Sequence, residues 1–143
     1  MKHQIPANLM PEDEGRHATP AGAEDLFFAD TLWVSVVDPE ANVFGVNHYT
    51  LGNRGFARFE ALYVIDGVVQ LYGNKVPLDP EPDAGPWSDG RLTYEVIEPF
   101  EHIRISLDWS AFGFELDFTG RFAAFDYGDS VRGDPLKRAT GFH

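Results

Sequence analysis

The 143 residues amount to one domain, and a hydrophobic content of 43% is enough to bury a core. Acidic residues number 23 against 11 basic ones, and the resulting formal net charge of −12 opposes binding to phosphate backbones and anionic membranes. There is no cysteine, which excludes a disulfide framework and thiolate chemistry, and no apolar run is long enough for a signal peptide or membrane span. A cytoplasmic protein with no nucleic-acid, membrane or cofactor partner is expected.

Residues 1–30 read as an extended arm, because Pro6, Pro11, Pro20 and the cluster Glu12-Asp13-Glu14 break any period. Leu26-Phe27-Phe28 is placed to anchor its end. An antiparallel β-domain is predicted over 31–127, since 14% aromatic residues with 14 Gly and 10 Pro suit many short strands and turns. Thr31 to Val37 is β-branched and aromatic enough to be the first strand, with Trp33 its heaviest residue. Pro39-Glu40-Ala41-Asn42 turns the chain into a strand from Val43 to Leu51, and Gly52-Asn53-Arg54-Gly55 returns it as Phe56 to Ile65.

Asp66-Gly67 is a two-residue hairpin signal that sets Ile65 opposite Val68, Val64 opposite Val69, Tyr63 opposite Gln70 and Leu62 opposite Leu71. Both faces of this hairpin are apolar near the turn, which predicts cover on both sides or a cavity against it. Lys75 to Gly90 carries Pro77, Pro80, Pro82 and Pro86 among acidic residues and reads as a long loop, docked by Trp87.

Two turns then define a three-stranded meander. A four-residue loop from Glu98 to Glu101 sets Ile97 opposite His102, Glu95 opposite Arg104 and Arg91 opposite Asp108. Val96, Tyr94 and Leu92 then face Ile103, Ile105 and Leu107. A tight turn at Ser110-Ala111 sets Leu107 opposite Phe114, Ile105 opposite Leu116, Ile103 opposite Phe118 and Arg104 opposite Asp117. Charges pair on one face and apolar groups on the other, so a one-residue slip would mix the faces. About seven strands are predicted in total, in the range of sandwiches and barrels. Residues 128–143 read as a polar tail or a linker to a second β-domain.

No compact catalytic motif is present, neither a phosphate loop nor a nucleophile elbow nor a helical His pair. The best polar constellation is Asn47, His48, Tyr49, Arg58 and Glu60. A four-residue loop at Gly52 to Gly55 sets Tyr49 opposite Arg58 and Asn47 opposite Glu60. A two-residue loop sets His48 opposite Phe59 and on the face of Tyr63, Gln70 and Tyr72. His48, Glu60 and Tyr49 are the candidate acid/base groups, with Arg58, Tyr63, Tyr72 and Trp33 as candidate substrate contacts. The competing explanation is an Arg58-Glu60 surface ladder beside a half-buried histidine. His102, Arg104, Glu95, Asp117 and Glu115 make a solvated ion-pair face, and no metal site is expected there.

Pro11-Glu12-Asp13-Glu14 with His17, Leu32-Trp33-Val34-Ser35-Val36-Val37-Asp38-Pro39, Ala57-Arg58-Phe59-Glu60 and Leu92-Thr93-Tyr94-Glu95 follow one another in a familiar order. In this the chain resembles the N-terminal part of lipocalin-like proteins of the AttH and hydroxyneurosporene synthase (carotenoid 1,2-hydratase) type. The resemblance implies two lipocalin-like β-domains packed together and an apolar pocket for an elongated or polycyclic substrate. It transfers no catalytic residue, because the acid proposed for the hydratase lies in the second half of that family. A fragment of a protein about twice this length, or a subunit whose partner supplies the second β-domain, is expected.

Three functions fit. The domain forms half of the pocket of a lyase, hydratase or isomerase acting on a hydrophobic molecule, with the main acid elsewhere. It is a non-catalytic carrier, with His48 and Glu60 pointing to solvent. Or it is a scaffold subunit for a catalytic partner.

Overall fold

The structure, a computed structural model, describes residues 9–14, 29–52, 55–77 and 87–121. Most of the predicted arm, the predicted tail and most of the acidic loop lie outside these residues. A single 3-10 turn at Pro11–Glu14 belongs to the arm, and the Glu14 carboxylate accepts a hydrogen bond from the Phe100 backbone N–H.

Strands β1 (Ala29–Asp38), β2 (Val43–Gly52), β3 (Phe56–Ile65) and β4 (Val68–Pro77) form one antiparallel sheet in that order. Strands β5 (Trp87–Ser88), β6 (Leu92–Glu98), β7 (His102–Leu107) and β8 (Phe114–Thr119) form a second. The described residues are therefore nearly all β, with every sequence neighbour inside a sheet paired antiparallel. The meander breaks between β4 and β5, so these strands build two packed layers and do not close into one barrel.

The turn chemistry explains the registers. Asp66 and Gly67 both have positive φ, 51° and 78°, the requirement of a two-residue turn whose twist matches its strands. All four pairs expected from it are present, Ile65 with Val68 through Leu62 with Leu71. At the preceding turn the Asp38 carboxylate caps the backbone N–H groups of Glu40 and Ala41 at 3.0 and 2.9 Å, and Asp38 pairs with Val43. The second sheet has the expected pairs Leu92–Leu107, Tyr94–Ile105, Glu95–Arg104 and Val96–Ile103, and all of the β7–β8 pairs.

Three local expectations are corrected. The β2–β3 connection has three residues between Gly52 and Phe56, so Tyr49 meets Phe59, Asn47 meets Ala61 and His48 meets Glu60. The expected pairings of Tyr49 with Arg58 and of His48 with Phe59 are one and the same register, and it is off by one. Ile97 does not face His102: a bulge lies between Val96 and Glu98, and Glu98 takes that place. The strands β7 and β8 end at Leu107 and Phe114, so their connection is a six-residue loop, not a tight turn at Ser110-Ala111.

The core sits between the sheets. Tyr49, Leu51, Phe59, Ala61 and Tyr63 come from the inner face of the first, and Leu92, Tyr94, Ile105 and Leu107 from that of the second. Rings join the layers: Tyr49 stacks on Trp87 at 5.2 Å and 29°, and Tyr63 meets Phe114 at 4.9 Å. Trp87 thus docks its segment, pairing with Tyr94 in β6. Gly45 is required by close approach, because a Cβ there would lie inside the Tyr63 ring.

Candidate functional site on the outer face of the first sheet

Strand alternation sorts the candidate residues onto opposite sides of one sheet. On β2, Asn47, Tyr49 and Leu51 point into the core, so Val46, His48 and Thr50 point outward. On β3, Ala57, Phe59, Ala61 and Tyr63 point inward, and Arg58, Glu60 and Leu62 outward. His48, Glu60, Arg58 and Trp33 therefore share the outer face, whereas Tyr49, Tyr63 and Tyr72 lie behind the sheet. The proposed trio of His48, Glu60 and Tyr49 is separated, and only the first two meet.

Those two form the centre of a small relay. His48 Nδ1 lies 3.1 Å from Glu60 Oε2, and His48 Nε2 lies 2.8 Å from Thr50 Oγ1. An ionised carboxylate can only accept, which assigns the proton of a neutral imidazole to Nδ1. Nε2 then accepts from the Thr50 hydroxyl. The histidine is thus oriented by a carboxylate on one side and bonded to a hydroxyl on the other, the arrangement of a base able to move a proton.

Trp33 on β1 is the register partner of His48, with ring centroids 5.0 Å apart at 54°, and its indole N–H donates to Ser35 Oγ at 3.1 Å. On the far side Glu60 pairs with Gly73, where a Cβ would meet nothing within 4 Å among the described residues. The row across the sheet is accordingly Trp33, His48, Glu60, Gly73: a large ring at one end and a notch at the other. On one side of it lies a polar row of Thr31, Thr50, Arg58 and Lys75. On the other side are two apolar rows: Ser35, Val46, Leu62 and Leu71, then Val37, Phe44, Val64 and Val69. Trp33, Val37, Phe44, Leu62, Val69 and Leu71 are all exposed.

Behind the sheet, burial acts on the tyrosines. Tyr63 accepts a 2.8 Å hydrogen bond from Asn47 Nδ2, and desolvation raises its pKa. Tyr72 donates to Asp89 Oδ2 at 2.7 Å, and burial followed by the Asp89 carboxylate pushes it up to about 12. Tyr94, raised further by burial, stays a neutral phenol. Asn47 is fully buried, and its Oδ1 finds no partner among the described residues. Burial thus keeps the hydroxyls of Tyr63, Tyr72 and Tyr94 protonated at neutral pH.

Thr50 and Gly73 were not singled out in the sequence. Thr50 stands two residues from His48 and so shares its face on any strand, which was the available signal. Gly73 acquires meaning only through the Asp66-Gly67 register, which places it opposite Glu60. Among the described residues no group of three or more His, Cys, Asp or Glu side chains could hold a metal ion, and no helix is long and apolar enough to cross a membrane. Comparison with protein-family models, curated proteins and solved structures finds no match.

Proposed function

We propose that this chain is the N-terminal β-domain of a lipocalin-like enzyme that binds a hydrophobic small molecule. Its reaction is of the lyase (hydratase) or isomerase type, and a second domain or chain supplies the main catalytic acid. The observation that carries the reading is the Glu60–His48–Thr50 relay at the border of an exposed apolar face. A proton-transfer group beside an apolar surface suits a substrate with an alkene or enol ether, provided a second layer covers the face and excludes water. Trp33 offers an aromatic face to a developing cation. The order of sequence segments shared with the carotenoid hydratase type points the same way, and in that family the pocket belongs to two β-domains.

A non-catalytic carrier of an apolar ligand is the second reading, favoured by the separation of His48 and Glu60 from the inter-sheet core. The two are told apart by incubating the natively isolated protein in D2O with a panel of apolar alkenes and enol ethers and reading deuterium incorporation by mass spectrometry. Catalysis predicts incorporation that falls about 100-fold or more in both His48→Ala and Glu60→Gln. Binding of a panel compound without exchange, unchanged in both variants, would replace the enzyme by the carrier.

A further inference from the structure

We propose that the outer face of the first sheet packs against the same face of a second copy of this chain, about a two-fold axis parallel to the strands. This arrangement seats Trp33 of each copy over Gly73 of the other. The assembly rests on this face being the working face of the domain. It does not require proton transfer, and its test reads mass alone.

The symmetry makes the case for a second copy over an unrelated partner. A two-fold axis lying along the strands exchanges β1 with β4 and β2 with β3, while each cross-strand row stays opposite itself. The apolar rows then face apolar rows: Phe44 meets Val64 and Val46 meets Leu62. In the next row the largest exposed ring, Trp33 at 61% exposure, meets that row's glycine, Gly73, whose Cβ site is open. In the same row His48 meets Glu60, so each copy contributes a residue to the other's relay. In the polar row Thr50 meets Arg58 and Thr31 meets Lys75, and no like charges oppose one another. The largest protrusion on the face, Trp33, thus has a recess on the strand that the symmetry brings over it.

Charge and area agree. The chain carries a formal −12, yet the described outward residues of this sheet include one carboxylate, Glu60, beside Arg58 and Lys75. The opposite outer face carries Glu95, Glu115 and Asp117. Face-to-face packing therefore keeps the acidic groups of the two copies apart. Four strands about 4.8 Å apart and ten residues long at about 3.4 Å each cover roughly 600 Å² per copy. The pair would bury about 1,200 Å², at the lower edge of a stable specific interface. Two sheets twisted in the usual sense pack at about −30°, so the two-fold axis bisects the two mean strand directions and lies close to both.

Sedimentation equilibrium and native mass spectrometry of the full chain, from about 1 to 100 μM, test the proposal. The expected species has twice the 16.0 kDa chain mass. Gly73→Leu, which fills the notch at an open position, and Trp33→Ala should each weaken self-association at least about tenfold. Far-UV circular dichroism and Tm at a concentration where both are monomeric should match the parent. Glu115→Leu, on the other outer face, should leave the dimer intact. A parent that stays monomeric at 100 μM, a complex with a different polypeptide in place of the dimer, or a dimer indifferent to both Gly73→Leu and Leu71→Asp would overturn it.

Discussion

The two outer faces of this sandwich arise from the same alternation and yet are opposites. On the second sheet, Asp117 accepts from His102 at 2.6 Å and from Arg104 at 3.1 Å, with Glu95 paired to Arg104 in register. His102 and Arg104 thus converge on the one Asp117 carboxylate. On the first sheet two outward rows are almost wholly Val, Leu and Phe, and the row of Trp33, His48, Glu60 and Gly73 separates them from the polar row of Thr31, Thr50, Arg58 and Lys75. Period-2 patterning tells which residues leave the core; the chemistry of the departing residues tells what they meet. A face of paired ions suits water, whereas an exposed apolar sheet face of this extent is what the proposed second copy would cover.

The contrast can be broken most severely through the core that both faces share. Ile105→Ala, at a fully buried position, should cost about 2–5 kcal/mol in urea unfolding and abolish both faces together. Gly45→Ala forces a methyl into the Tyr63 ring and should cost about 1–3 kcal/mol, since the ring is wedged between β2 and Phe114.

Substitutions on the two outer faces sharpen the comparison. Leu71→Asp should change the stability of the isolated chain by no more than about 0.5 kcal/mol, because Leu71 is exposed. At a concentration where the chain is monomeric and the face is uncovered, it should lower the fluorescence rise of an anilinonaphthalene sulfonate dye, while Glu115→Leu leaves the parent's response in place.

The smallest effect belongs to the ion-pair face and depends on pH. Hydrogen bonds from His102 and then Arg104 hold the Asp117 carboxyl below the usual carboxylate range, so the unfolded chain binds its proton more readily than the folded one. The stabilising contribution is therefore present above the ordinary carboxylate pKa and lost as pH falls through the lowered folded value. The Tm difference between the parent and Asp117→Asn should be larger above the ordinary carboxylate range and shrink below about pH 4.

Legibility in the sequence follows the same division. The β6–β7–β8 registers could be read because one face is charged and the other apolar, so a slip carries a visible penalty. The β2–β3 register could not, because Gly52 and Gly55 permit several loop lengths and both faces of the hairpin tolerate apolar groups. That one-residue difference moved His48 from opposite Phe59 to opposite Glu60. The bulge at Ile97 escaped because it depends on the Phe100 backbone, which takes a positive φ of 61° next to Pro99. His48 and Glu60 were recognisable as residue types. Their meeting, and the separation of Tyr49 from them, needed the register.

Residue-resolved hydroxyl-radical footprinting of the natively isolated protein, normalised to the denatured chain, tests most directly whether the first sheet's outer face is covered. Phe44 on that face and Ile97 in the β6 bulge have nearly equal exposures in the single chain, 46% and 44%, and serve as the matched pair. The expected result is that Phe44, with Trp33 and Leu71, oxidises several-fold more slowly than its exposure implies, while Ile97 reacts in proportion to its own. Equal reactivity of Phe44 and Ile97 would contradict it, and would make the apolar face a surface in contact with water.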